Sequence, residues 1–167
     1  MKQSMFNVVK KVAGAKVNFE PRQRELDFLL VGARKACLLD GRSSIQSQQP
    51  LFKLFFTSYD VYPEGASLND YVEPLLLVVK KGTNVSSAVF TDGEVLRYHH
   101  AELGKLLGFP PTECEQFDEI QERVFFHYHG LSFACEKSRK QLAIDYLEST
   151  FKLPDWMKKE QAFFITE

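Results

Sequence analysis

Cysteine is scarce in this chain and never paired at C-x-x-C spacing: Cys37, Cys114 and Cys135 stand far apart and are odd in number. Neither a disulfide framework nor a zinc finger is therefore indicated. Long apolar runs are missing too, the longest falling far short of the roughly 20 residues that a membrane-spanning helix needs. The amino terminus lacks the apolar core and small-residue cleavage site of a secretory signal. No membrane span and a cytoplasmic, reducing setting are the expectations. A charge surplus of one sign is also absent, since 21 basic side chains face 22 acidic ones for a net charge of −1. Phosphate binding relies on a positive surplus, so nucleic acid is not the expected partner. Residues 1–40 carry eight basic and four acidic side chains, which reads as a solvated face. Glycine-rich phosphate loops, a nucleophile elbow and a calcium loop have no match in the sequence.

What the chain has is aromatic mass. Fifteen phenylalanines and six tyrosines accompany a hydrophobic fraction of 44% in 167 residues, enough for one domain with its own core. We expect a single domain over 1–167, with 1–17 as a candidate loosely attached segment. Within that segment Met5, Phe6, Val9, Val12 and Ala13 share one helical face. Pro21 opens a second helical pattern through Leu26, Leu29, Leu30 and Ala33. Ala36–Leu39 could close that helix or form a strand. Residues 43–49 are polar and read as a loop.

From Leu51 to Tyr62 the chain turns aromatic, with Phe52, Leu54 and Phe56 alternating as in a half-buried strand. Leu75–Val79 and Val85–Phe90 read as further strands, and Asp92-Gly93 as the end of the last. Leu96, Leu103, Leu106 and Leu107 then share a helical face ending at Gly108, where a left-handed cap is easiest. Thr112 and Glu115 have capping-box spacing, and Cys114, Phe117, Ile120 and Val124 would line the helix that follows. The last helix is expected over Ala134–Phe151, and the apolar tail with Trp156, Phe163, Phe164 and Ile165 as an edge strand. The sum is an α+β fold: an antiparallel sheet of three to four strands packed with N- and C-terminal helices.

The segment Leu107-Gly108-Phe109-Pro110-Pro111, with Glu115 and Phe117 after it, resembles a group of uncharacterised small prokaryotic domains. Their pattern is a helix followed by L-G-[FY]-P-P-C-C-x-E-x-F. The cysteine pair of that pattern is replaced here by Thr112 and Glu113, and Cys114 comes one position later. The resemblance implies no activity, and any metal or redox role of the paired cysteines would be lost.

Three function classes follow from these residues. The leading one is a binding or protein-interaction module without catalysis, self-associating or with a protein partner, contacting it through Phe52, Phe56, Tyr59, Trp156, Phe163 and Phe164. The second is a metal-dependent enzyme. His99, His100, His127 and His129 would supply ligands, with Cys114 nearby, and zinc would be the metal for such a set; no cofactor is otherwise expected. The third is thiol catalysis by Cys114 with His100 or His127 as base, which needs the base within hydrogen-bond reach of the thiol. Opposing it, Cys114 lies on an apolar stripe with Phe117, where a thiol commonly behaves as a small hydrophobe.

Overall fold

A computed structural model of the chain describes residues 23–39, 50–69, 72–158 and 163–165. The expected helix at 4–13 and the polar loop at 43–49 lie outside the described residues.

The apolar run Leu75–Lys80 (β3) sits at the centre of the larger sheet, between β1 (Ala36–Leu39) and β2 (Phe56–Pro63), both antiparallel to it. A strand covered on both faces needs no alternation of polar and apolar residues. Leu76 and Val78 point one way, into a core with Cys37, Leu39 and Phe56 beneath Leu26, Leu29 and Leu30 of helix α1 (Gln23–Leu30). Leu77 and Val79 point the other way, into a core with Val61 and Tyr98 that Leu103 and Leu107 cover. Ala36–Leu39 is thus a strand, and all four of its residues are buried. Helix α1 ends in a Schellman motif at Gly32 (φ +77°), the Gly32 and Ala33 amides donating to the carbonyls of Leu29 and Phe28.

The fold is α+β, but the main sheet has five strands in the order β1-β3-β2-β5-β4, and it is mixed. β5 (Val95–Tyr98) runs parallel to β2, with Val61 opposite Leu96, and antiparallel to β4 (Val89–Asp92). Three expectations change here. Leu51–Phe55 is not strand: Pro50–Phe55 forms a short helix, α2, because β3 stops offering pairing partners at Lys80, opposite Phe56. Asp92-Gly93 does not lead into a helix; it closes the β4–β5 hairpin, so Leu96 belongs to a strand. Residues 85–88 form a turn, and the strand begins only at Val89.

Helix α3 (His100–Leu106) follows β5 and ends in a second Schellman motif at Gly108, φ +88°. Helix α4 (Pro111–Glu115) is only five residues long, with no side-chain cap, so the expected capping box does not form. Its Glu115 reaches Lys105 instead. A 3₁₀ turn, Phe117–Glu119, comes next. Val124 is not helical: Arg123–Tyr128 (β6) pairs with Leu131–Glu136 (β7) through a two-residue turn. His129 and Gly130 both have positive φ there, 47° and 93°, the geometry of a type I′ hairpin. The last helix, α5, accordingly starts late and spans Lys140–Thr150. β8 (Phe163–Ile165) adds an edge strand beside β6, giving a second sheet in the order β7-β6-β8.

Phe28 packs edge-on against Phe151 in a third core, with Val124, Tyr128, Leu131, Ala143 and Leu147. Helix α1 is therefore shared by the larger sheet and the small one. Among the described residues no helix is long and apolar enough to cross a membrane.

A Cβ at Gly108 would lie 2.6 Å from the Phe151 ring, in a backbone conformation that L side chains rarely adopt. Gly108→Ala should therefore lower stability by about 1–3 kcal/mol in chemical denaturation. Gly32→Ala has an open site and should lose less; equal losses at the two positions would contradict the packing at Phe151.

Candidate functional site

The close approach of α3 and α4 builds one wall of a cavity. Gly104 has no side chain, and a Cβ there would meet the Cys114 Sγ at 2.6 Å. The reversal at Phe109-Pro110-Pro111 turns the chain so that α4 lies against α3. The opposite wall is the β6–β7 hairpin. Between them is a cavity of about 340 Å³ lined mainly by Phe109, Phe117, Phe125, Phe133 and Ala134. Exposed His100, Ser132 and Phe117 mark its mouth, while buried Phe133, Ala134 and Glu113 mark its floor.

Glu113 holds the two walls together. Its carboxylate is 3% exposed and accepts from Arg139 Nε at 2.6 Å, Arg139 Nη2 at 3.3 Å and the Glu136 amide at 3.0 Å. A buried carboxylate with both oxygens engaged is structural, since leaving it unpaired would be costly. On the outer side Lys105 bridges Glu102 at 2.7 Å and Glu115 at 2.8 Å, tying α3 to α4 again. Those hydrogen bonds, to Glu102 first, push the Lys105 pKa up and keep it charged.

Cys114 faces this space as a thiol. Burial pushes its pKa up to about 11, with Glu113, Glu115 and Glu102 adding to the shift and Lys105 opposing it. The ring walls are held from outside. Phe109 stacks on Phe133 with centroids 5.1 Å apart, and the Arg34 guanidinium lies 5.2 Å from the Phe109 centroid. Arg123 sits 4.4 Å over Phe117 and donates to its carbonyl at 2.9 Å.

Of the residues singled out in sequence, His100 and Cys114 line this one cavity. The other histidines are not in its lining. His99 contacts Glu64 at 2.6 Å and stacks on Phe90. His127 pairs with the Ser132 hydroxyl at 3.1 Å, and His129 packs against the Tyr128 ring at the hairpin turn. Among the described residues no group of three or more His, Cys, Asp or Glu could hold a metal ion.

Phe56 is a core residue, 6% exposed, because it faces α1 rather than solvent. Tyr59 and Trp156 are half-buried against the cores. The side chains of Phe52, Phe163 and Phe164 lie outside the described ones. Sequence reasoning passed over Phe109, Phe125, Ser132, Phe133 and Ala134 as site residues. They meet only through tertiary packing, and no local spacing announces them.

The thiolate is the reacting species, and the Cys114 pKa rises from 9.0 to about 11. Its alkylation by iodoacetamide at pH 8 should therefore run roughly a hundredfold slower than that of an unhindered cysteine, and rise with pH towards 11. A raised folded-state pKa stabilises the fold below pH 9 and loses that contribution as pH climbs through 11. Fast labelling at neutral pH would show an activated nucleophile. Glu113→Gln should lower stability by about 2–4 kcal/mol in urea denaturation, and a loss below 1 kcal/mol would remove the clamp from this account.

Comparison with protein-family models, with curated proteins and with solved structures finds no match for this chain.

Proposed function

We propose that this protein is a non-catalytic binding module that takes a small apolar molecule in the cavity between the α3–α4 pair and the β6–β7 hairpin. The observation that carries the reading is the wall composition: four phenylalanines, an alanine and a glycine around about 340 Å³. That volume is near the lower end of the roughly 300–1,000 Å³ usual for small-molecule sites. Such sites combine mostly apolar walls with a few polar groups, and here those groups are His100, Ser132 and the Cys114 thiol.

The same geometry weighs against thiol catalysis. A nucleophile is activated by a lowered pKa or an adjacent base, whereas burial keeps the Cys114 proton on sulfur. Among the described residues the one carboxylate lining the cavity, Glu113, has both oxygens engaged by Arg139 and the Glu136 amide. A cytoplasmic, reducing setting accords with Cys37, Cys114 and Cys135, none of which forms a disulfide among the described residues.

Amide NMR titration with toluene as the probe tests the reading. Shifts should concentrate at Gly104, Cys114 and Ala134, and Ala134→Leu, which fills the floor, should weaken binding at least about tenfold. Shifts spread over other surfaces, or an Ala134→Leu variant that binds as well as the parent, would overturn it.

A further inference from the structure

Building on the reading of this cavity as a binding site, we infer that its occupant is a flat, electron-rich aromatic molecule of about two fused rings. It carries one hydroxyl or N–H group at the mouth. An aliphatic chain and an alkylammonium ion are the ligands that this geometry disfavours.

Shape is the first reason. Phe109 and Phe133 already form a stacked pair, 25° from parallel with centroids 5.1 Å apart. Aromatic pairs in offset-stacked or edge-to-face arrangements gain roughly 0.5–1.5 kcal/mol beyond the area that they bury. A flat ring entering this space extends an existing stack and presents its edge or face to Phe117 and Phe125. The Cys114 sulfur adds a polarisable contact of the kind that favours aromatic rings.

Charge behind the rings is the second. A phenyl face is electron-rich and attracts cations. Two of these rings already carry one: Arg123 over Phe117 at 4.4 Å and Arg34 near Phe109 at 5.2 Å. Neither guanidinium lines the cavity, so each lies outside the space that a ligand would fill. Arg34 is 3% exposed, and neither of its Nη atoms has a hydrogen-bond partner among the described residues. Besides the Glu25 carboxylate, which acts on it electrostatically, its charge faces the rings of Phe109 and Phe151. A cation over a ring draws electron density from it and leaves the ring less negative. Such a ring suits an electron-rich π system and repels a second cation.

Polarity is the third. Among the described residues Glu113, the one carboxylate in the lining, is saturated, and no ammonium or guanidinium group lines the cavity to receive a ligand carboxylate. The polar groups at the rim are the Ser132 hydroxyl and the His100 ring, so one neutral polar group on the ligand suffices.

The experiment compares 2-naphthol with decahydro-2-naphthol, which keeps the hydroxyl and the bicyclic frame but has no π system, by NMR titration of the full chain. 2-Naphthol should bind at least about tenfold more tightly. Arg123→Gln, which removes the charge but can still donate to the Phe117 carbonyl, should weaken 2-naphthol about threefold and leave the saturated alcohol unchanged. Phe117→Leu, at an exposed position that the fold tolerates, should reduce the aromatic preference in the same way. Equal affinity for the two alcohols would overturn the aromatic assignment while leaving the binding reading intact. If neither alcohol nor toluene binds, the binding reading itself is overturned. Loss of both alcohols in equal proportion on Arg123→Gln would show that Arg123 acts by holding Phe117 and not through its charge.

Discussion

The Glu113 carboxylate is the fixed point around which the candidate site is arranged. It is almost fully buried and accepts from three donors on the far side of the cavity, two on Arg139 and one on the Glu136 backbone. Its own helix, α4, has five residues and no side-chain cap. A helix that short is not stable alone. Its position therefore comes from tertiary bonds: Glu113 towards β7, Glu115 through Lys105 towards α3, and Cys114 against Gly104. The cavity persists because these contacts hold its walls apart at fixed spacing while the phenylalanine rings leave space between them.

The larger sheet supplies the rigid base for this arrangement. β3 is apolar on both faces because α1 covers one and α3 covers the other, so a single strand places both helices. Leu107, at the end of α3, is buried in that core and also accepts a hydrogen bond from Arg34 Nε. Through it the end of α3 is anchored to the segment between α1 and β1. Arg34 then lies where its charge meets Phe109, so the ring at the cavity wall and the sheet core share one support. The guanidinium pays for burial with a lowered pKa, desolvation being the largest cause.

Much of the class and several boundaries were legible in the chain. Gly108 does cap a helix at positive φ, the tail does add an edge strand, and the fold is α+β. The errors share a cause. Leu96 and Leu103 fit a helical period, yet Leu96 is committed to β5 by a parallel pairing with Val61, far away in sequence. Ile120 and Val124 also fit a helix, but the I′ turn at His129-Gly130 pairs Val124 with Cys135. Short apolar runs carry both periods, and long-range pairing decides between them. The site was half legible. His100 and Cys114 were singled out for chemistry and do share a cavity, but its phenylalanine walls come from four separate segments. Nothing local marks Phe125 or Phe133 as facing the same space as Phe109.

The claim at the centre of this account is that the Phe-walled space beside Cys114 takes an aromatic guest. The most direct measurement is intermolecular NOE spectroscopy with 2-naphthol and methyl-labelled protein. The account predicts contacts from naphthol protons to the Ala134 methyl group and to the rings of Phe117 and Phe125. Contacts instead to the exposed Leu54 and Phe55 of α2, or none to Ala134 at saturating naphthol, would contradict it.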